Sequence, residues 1–295
     1  MLEMKNVTKT FGSFKALDDL SLTVPKGAVY GLVGPNGAGK TTAIRHLTGV
    51  YRPDSGSVTL EGMPIDENLA AKERICCIAD ESFYFPGASL EEMRDFYAGV
   101  YPKFDNKRFE ELQMVFGLRR KAPLRRFSKG MQKQACFHLA LCTHADVLVL
   151  DEPVDGLDPV MRKQVWSVIL EDVAARETTV LVSSHNLREL EDVCDHVGVL
   201  HEGKMLLERS LSDLQENIVK VQLVTDRPIP PELNVLHKSM TGRIQTLIVR
   251  GDRREIAGLL QQCNPLLCDL LPLSLEEIFI YELGGVNYDV KNLVL

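Results

Sequence analysis

The chain has 295 residues, of which 45% are hydrophobic and 25% charged, and its formal net charge is −7. This composition is typical of a soluble folded protein with one large or two modest domains, and the negative charge disfavours binding to nucleic acid or to an anionic membrane. No apolar run approaches the roughly 20 residues that span a bilayer, and no signal-peptide core stands at the N-terminus. We therefore expect a cytoplasmic protein that reaches a membrane only through a partner.

The first two thirds of the chain alternate strand and helix patterns. AVYGLV (28–33) predicts a buried strand, which a glycine-rich turn and the helical AIRHLTGV follow; VTLEGMPI (58–65) and the apolar centre of KERICCIAD (72–80) predict two more strands. Residues of about 81–145 have helical apolar spacing and predict a helical subdomain. VLVL, TTVLVSS and HVGVLHEGKMLL then alternate with helices, so the sequence predicts an α/β fold with a parallel sheet.

The pattern changes after residue 216. VKVQLV, RIQTLIV and LLCDLL predict strands, and DRREIAGLLQQC predicts an amphipathic helix. SLEEIFIYEL predicts a last helix, in which Ser274 and Glu277 match a capping box. We therefore expect a first domain over 1–216, containing the helical subdomain, and a small α+β domain over 217–295.

A glycine-rich motif follows the strand at 28–33. GPNGAGKT, from Gly34 to Thr41, matches G-x-x-x-x-G-K-[ST] between a strand and a helix. Its backbone N–H groups can surround a polyphosphate, and the helix N-terminus adds positive potential. Lys40 would reach the β- and γ-phosphates, the Thr41 hydroxyl would bind Mg²⁺, and Thr42 would add a phosphate contact. The expected nucleotide-binding residues here are Gly34, Pro35, Asn36, Gly37, Ala38, Gly39, Lys40, Thr41 and Thr42.

A second motif, LVLDEPVDGLD (148–158), is an apolar run that ends at Asp151 and Glu152. Crowded acids repel one another unless a cation, a water or a partner lies between them, so this is either a solvated turn or a site for a metal and a water. A phosphate-bound Mg²⁺ needs an acidic partner at a strand end, which Asp151 would supply. Glu152 would orient or deprotonate the attacking water. With the glycine-rich motif, these acids predict a nucleoside triphosphatase.

Two more stretches narrow the class: FSKGMQKQ (127–134) and SSHNL (183–187). The motif order over roughly 1–215 resembles the ATP-binding-cassette family, the nucleotide-binding subunits of ABC transporters. SLEEIFIYEL is similar to the extension of the ABC-2 export type, and SKGM resembles the signature of a Gram-positive subfamily. The resemblance implies a P-loop NTPase fold of the ABC type, with ATP and Mg²⁺ as ligands and ATP hydrolysis as the activity.

The resemblance also implies roles for individual residues. Ser128 and Gly130 would contact the γ-phosphate of ATP held by a second ATP-binding subunit. Asp158 would sense the facing site across the dimer. His185 would contact the γ-phosphate and help hold the water near Glu152.

Phe11 and Asp80 leave alternatives open, and Lys129 and Met131 depart from the family's pattern. Phe11 would stack on adenine, or it is a core aromatic. Lys129 and Met131 replace a glycine and the glutamine of the usual LSGGQ signature, and lysine adopts a positive φ less easily than glycine. Asp80 stands where the family has a glutamine that touches Mg²⁺, so it is either a metal ligand or a solvated acid.

The expected assembly is a head-to-tail homodimer or heterodimer around two ATP–Mg²⁺. It is expected to bind a separate transmembrane permease on the inner face of the membrane and to serve export. The aromatic residues 83–85 either receive a helix of that permease or pack within the helical subdomain. The alternative is a soluble regulatory or DNA-maintenance ATPase without a membrane partner, but no long heptad pattern or second motif set supports it. The basic run at 118–126 predicts a solvated turn, not a nucleic-acid site. For the C-terminal domain we expect a regulatory or dimerisation role.

Overall fold

A computed structural model describes residues 1–81, 83–216 and 218–283. Its strands are β1 (Leu2–Phe11), β2 (Phe14–Val24), β3 (Val29–Val33), β4 (Ser55–Leu60), β5 (Met63–Pro64), β6 (Ile75–Ile78), β7 (Val147–Asp151), β8 (Thr179–Ser184), β9 (His196–His201), β10 (Lys204–Ser210), β11 (Ile218–Val224), β12 (Asn234–Thr241), β13 (Ile244–Arg250) and β14 (Leu267–Leu271). Its helices are α1 (Lys40–Leu47), α2 (Leu69–Lys72), α3 (Leu90–Val100), α4 (Asn106–Phe116), α5 (Lys129–Cys142), α6 (Pro159–Arg176), α7 (Arg188–Glu191), α8 (Leu211–Glu216), α9 (Arg253–Gln261) and α10 (Leu275–Leu283).

The chain divides into two compact units. The first comprises Met1–His185 and Val193–Glu208; the second comprises Asn186–Asp192 and the chain from Arg209 onward. Residues 284–295, which the sequence assigns to the small C-terminal domain, lie outside the described part of the chain. Within the described ranges, no helix has both the length and the apolar character needed to cross a membrane.

A six-stranded sheet in the order β10-β9-β3-β8-β7-β6 forms the centre of the first unit. The pairs β3–β8, β3–β9, β7–β8 and β6–β7 are parallel, as predicted. Every residue of β3, β7 and β8 is buried, which is why these strands read as continuous apolar runs rather than as alternating ones. Because the strands are parallel, the segments that follow β3, β7 and β8 emerge at the same edge of the sheet.

A second sheet, β2-β1-β4-β5, is antiparallel and packs into the same core. The sequence analysis identified neither β1 nor β2. Leu2 pairs with Val24 and Met4 with Leu22, and all four side chains are buried. Irregular register along the hairpin interrupts the alternation of buried and exposed residues, so the period-2 signal is weak here.

The predicted helical segment contains α3, α4 and α5. Ser89 caps α3 in a capping box with Glu92, and the Asp105 carboxylate accepts two N–H groups at the start of α4. The apolar face of α4, with Phe109, Leu112 and Phe116, is buried as its spacing predicts. A bridge between Ser89 and Pro123 links the start of α3 to the segment that precedes α5.

The second unit contains the antiparallel sheet β12-β13-β11-β14. Its core joins Val221 and Leu247 of the sheet to Ile256 and Leu260 of α9, a pairing that the amphipathic pattern of α9 favours. The predicted capping box of α10 is confirmed, since Ser274 N–H donates to Glu277 Oε2 at 3.0 Å and Glu277 N–H donates to Ser274 Oγ at 3.2 Å. Strand β12, which was not predicted, lies at the sheet edge and is exposed at nearly every position.

Candidate functional site

The glycine-rich loop connects β3 to α1 at the edge of the parallel sheet. A Cβ at Gly34 would lie 2.3 Å from the carbonyl oxygen of Leu200. Gly39 has φ +109° and a Cβ there would lie 2.8 Å from the carbonyl oxygen of Ala16. Both positions therefore require glycine, and the loop is folded so that α1 begins at Lys40 with its N-terminus towards the loop.

Lys40 is buried and lies against the loop. Its Nζ donates to the carbonyl oxygens of Gly34 at 2.7 Å and Pro35 at 3.4 Å. The same Nζ lies 3.4 Å from Oε1 of Glu152. The structure thus brings the lysine of the first motif into contact with an acid of the second, as the sequence predicts for one composite site.

The acidic end of β7 is held by the neighbouring strand β8. Ser183 Oγ donates to Oδ1 of the buried Asp151 at 2.5 Å and accepts the N–H of Glu152 at 3.0 Å. The second carboxylate oxygen of Glu152, Oε2, lies 2.9 Å from Nδ1 of His185. The Glu152 carboxylate therefore lies between Lys40 and His185. Ser183 holds both the Asp151 carboxylate and the backbone N–H of Glu152.

Ser183 was not among the predicted site residues. In the structure, Ser183 directly faces Asp151 in the parallel pairing of β7 with β8. That register becomes visible only when the two strands are paired. Sequence reasoning singled out the histidine of SSHNL and passed over the serine two residues before it.

Thr41, Asp151 and Asp80 line a cavity of about 730 Å³ beside α1. Burial raises the pKa of Cys77, which also lines this cavity, to about 12, so its thiol stays protonated and supplies no anion. The polar groups offered here are therefore mainly oxygens, the donors that Mg²⁺ prefers. Over the described ranges, no three His, Cys, Asp or Glu side chains form a metal-ligand group. A metal at this place would need phosphate oxygens to complete its shell.

Asp80 has an exposed side chain, with 58% of its surface accessible. Its Oδ1 lies 3.7 Å from Nζ of Lys133, a buried residue of α5 that the sequence analysis did not select. The Lys133 ammonium also donates to the carbonyl oxygen of Glu152 at 2.6 Å. Lys133 stands four residues after Lys129 in one helix, but neither spacing nor residue type distinguished it from a surface lysine.

The signature residues lie at the N-terminus of α5. Ser128 is the N-cap, and its Oγ accepts the N–H of Met131 at 3.3 Å. Lys129 is the first helical residue and has no positive φ, so lysine in place of glycine causes no backbone strain. Among the described residues, a Cβ at Gly130 would meet Leu157, at 3.7 Å. In the part of the chain that the structure describes, the hydrogen bonds of Ser128 stay within α5 and do not reach the glycine-rich loop.

Asp158 has a local role at the start of α6. Its Oδ1 accepts the N–H groups of Val160 at 3.0 Å and Met161 at 3.1 Å, which is an N-cap. The carboxylate therefore stabilises its own helix, whatever it contacts in an assembly.

Phe11 lies at the end of β1, and 44% of its surface is exposed, so it is not a core aromatic. Its ring meets Tyr51 edge-on at 5.6 Å, and Tyr51 meets His46 of α1 at 5.7 Å. The Tyr51 hydroxyl accepts a hydrogen bond from Arg45 of α1 at 2.9 Å. The exposed ring is thus connected to the helix that follows the glycine-rich loop.

Known proteins are similar to this chain in sequence and in fold. A family model described as ABC transporter matches residues 17–155. The ABC transporter ATP-binding protein YtrB of Bacillus subtilis (strain 168) is 30% identical over 288 residues, which are 97% of this chain and 99% of that protein. The Nod factor export ATP-binding protein I of Cupriavidus pinatubonensis (strain JMP 134 / LMG 1197) is 31% identical over an alignment 296 positions long, gaps included, which covers 95% of this chain and 90% of that protein.

A solved ATP-binding subunit of an ABC transporter has a TM-score of 0.68 to this chain and 26% identity, covering 73% of this chain and 92% of that one. The residues matched by the family model, 17–155, contain the glycine-rich loop and the acidic end of β7. The full-length match to YtrB extends the relationship into the second unit. The chain therefore belongs to the ABC transporter family, as one of its ATP-binding, ATP-hydrolysing subunits.

Proposed function

We propose that the chain hydrolyses ATP–Mg²⁺ at the edge formed by β3, β7 and β8 and drives export through a separate permease on the inner face of the cell membrane. The observation that carries this proposal is the placement of the Glu152 carboxylate, 3.4 Å from Lys40 and 2.9 Å from His185. The printed name of the Nod factor relative favours export. The similarity of the last helix to the ABC-2 extension favours the same direction.

The glycine-rich loop and Lys40 would bind the triphosphate. Gly34 and Gly39 let the loop pack closely on the backbone of Leu200 and Ala16, and in this fold its N–H groups would approach the phosphate oxygens. In this structure Lys40 contacts two carbonyl groups and Glu152. On nucleotide binding, Lys40 would exchange its contact with Glu152 for the β- and γ-phosphates, which releases the carboxylate for the water.

Thr41 and Asp151 would hold Mg²⁺ together with phosphate oxygens of the nucleotide. Both residues supply oxygen and line the same cavity, so the residues present fit this ion. When bound, Mg²⁺ would neutralise the negative charge of the phosphates. Ser183 would keep the Asp151 carboxylate aimed at this position. Asp80 lines the same cavity and could supply a further oxygen ligand, or it is the solvated acid of the second alternative.

Glu152 would orient the attacking water and accept its proton, with His185 placing the carboxylate and contacting the γ-phosphate. General-base catalysis of this kind contributes about 10²–10⁴-fold to the rate. Phe11 would stack on the adenine, because its ring is exposed beside α1. All of these groups lie on one chain.

A second subunit would complete the site. Ser128 and Gly130 stand at a helix N-terminus, where an anion is favoured, and they make no contact with the glycine-rich loop among the described residues. We therefore propose a head-to-tail homodimer or heterodimer in which these residues and Asp158 face the ATP of the partner. For the second unit, a regulatory or dimerisation role stays a hypothesis.

The permease would contact an aromatic row, defined as Phe83, Phe85, Phe96, Tyr97 and Tyr101. Successive ring centroids are 5.5, 4.8, 6.0 and 5.8 Å apart, so the rings form one continuous row. Its first two rings remain exposed, and its last ring lines the 730 Å³ cavity. Exposed aromatic side chains suit contact with a helix of a partner protein.

The decisive experiment is Glu152→Gln. We expect ATP hydrolysis to fall by at least about 100-fold, because an amide cannot accept the proton, while ATP still binds and favours the dimer. Steady-state phosphate release and size-exclusion chromatography with ATP measure both effects. Glu171→Gln, an exposed acid on α6, serves as the matched control. Unchanged hydrolysis in the Glu152 variant would contradict the assignment of the base.

A further inference from the structure

We propose that Lys133 is a positioning residue for ATP hydrolysis. Its ammonium group fixes the backbone of Glu152 from one side and pairs with Asp80 on the other. This inference rests on the proposed role of Glu152 as the base. It adds a residue of the signature helix α5 that acts on the catalytic carboxylate of the same chain.

Lys133 is a buried lysine, with only 8% of its surface exposed. A buried ammonium group is costly unless it is paired and hydrogen-bonded. Its Nζ donates to the carbonyl oxygen of Glu152 at 2.6 Å, a short, charge-assisted bond. A lysine that served only solubility would extend into water, so the burial indicates a function in this contact.

The contact constrains an unusual backbone. Glu152 has φ +45°, in the left-handed region that a residue with a Cβ rarely adopts. Its N–H donates to Ser183 Oγ at 3.0 Å and its carbonyl accepts from Lys133. With both polar backbone groups held, the Cα–Cβ bond has a fixed direction, and this direction carries the carboxylate to Lys40 and His185.

The second contact of Lys133 accounts for the acid at residue 80. Asp80 Oδ1 lies 3.7 Å from the Lys133 Nζ, and both residues line a cavity of about 550 Å³ together with Lys129 and Asp155. A carboxylate near a bound triphosphate adds repulsion that a nearby cation offsets. The Lys133 cation therefore offsets the negative charge of Asp80 near the triphosphate. A neutral side chain at residue 80 would need no such cation.

The test compares Lys133→Met with Lys133→Gln in the full-length chain. Methionine keeps the volume and removes both contacts, so we expect kcat to fall by about tenfold to a hundredfold while the KM for ATP changes by less than about threefold. Glutamine can still donate to the Glu152 carbonyl, so its kcat should lie between those of wild type and Lys133→Met. Lys163→Met, an exposed lysine on α6, is the control and should match wild type.

Two readouts are independent of turnover. The affinity for TNP-ATP should stay within about threefold of wild type, because Lys133 does not reach the glycine-rich loop. Thermal unfolding of each variant reports whether it is folded. If Lys133→Met does not fold, Lys133→Gln alone decides, and a wild-type kcat in that folded variant would overturn the proposal.

The pairing with Asp80 is tested by a double-mutant cycle. The factor by which Asp80→Asn changes kcat should be at least about threefold more favourable in Lys133→Gln than in the wild-type chain, since Asp80 has lost its cation in Lys133→Gln. An equal factor in both chains would overturn the pairing. The proposed function is tested separately. If Glu152→Gln retains hydrolysis, the assignment of Glu152 as the base fails. If Glu152→Gln is inactive but Lys133→Met has a wild-type kcat, only the role of Lys133 is contradicted.

Discussion

A histidine buried in the helical segment should make the first unit sensitive to acid. His138 of α5 is fully buried and stacks on the Phe109 ring at a centroid distance of 4.4 Å. Its Nε2 donates to the carbonyl oxygen of Phe109 at 2.8 Å, while Nδ1 has no hydrogen-bond partner within the described ranges. Protonation would place an N–H on Nδ1 with no acceptor, so burial lowers the pKa of His138 to about 4.

The magnitude follows from linkage. The folded-state pKa lies below the unfolded value of about 6.5, so the unfolded chain binds the proton more tightly and stability falls as the pH falls from about 6.5 towards 4. With these pKa values, the free energy of unfolding decreases by about 2 kcal/mol at pH 5 and by about 3 kcal/mol at pH 4, relative to neutral pH. Above pH 6.5 the contribution of His138 is fully present.

The assay is urea unfolding at pH 7 and pH 5, followed by the fluorescence of Trp166, the single tryptophan of the chain, which is buried in the first unit. Carboxylates also titrate in this range, so the decisive quantity is the difference from His138→Phe. That variant should be about 1 kcal/mol less stable at pH 7, through the lost hydrogen bond, but should lose about 2 kcal/mol less between the two pH values. His237→Gln, an exposed histidine, is the control. An equal loss in His138→Phe and wild type would refute the reasoning.

Three further outcomes are expected. Gly34→Ala should abolish TNP-ATP binding and lower the melting temperature, since its Cβ would lie 2.3 Å from the Leu200 oxygen; wild-type affinity would contradict this. Ser183→Ala leaves Asp151 without its hydroxyl donor, so it should lower the free energy of unfolding in urea by about 1–3 kcal/mol and lower kcat. A fully active variant would show that Ser183 has no role in the site. Cys77, whose pKa burial raises to about 12, should react with iodoacetamide at pH 8 far more slowly than in urea, as mass spectrometry of the labelled peptide will show; equal rates would mean an accessible thiolate.

Local motifs predicted the centre of the site. The loop from Gly34 to Thr41 was readable because glycine spacing, lysine and the strand–helix context all act within eight residues. The same holds for Asp151 and Glu152, which directly follow a run of buried residues. The helices α4 and α10 were predicted from apolar spacing and capping residues, which are also local properties.

Other features depend on contacts between distant residues. Strands β1 and β2 escaped prediction because their buried positions are set by an irregular pairing and by packing on the central sheet. The roles of Ser183 and Lys133 depend on register between β7 and β8 and on the packing of α5 against the end of β7. Phe11 could be separated from a core aromatic only by its exposure.

The sequence by itself thus predicted the strands of the parallel sheet and the residues proposed to meet the nucleotide, because short-range spacing encodes them, and the order of its motifs resembled the ABC family. Only the tertiary structure decided how Glu152 is held, by a serine from the next strand and a lysine from a helix about 20 residues earlier in the chain. The physical reason is that hydrogen bonds and ion pairs act over a few ångströms in space, and residues far apart in the chain come that close only when strands and helices pack.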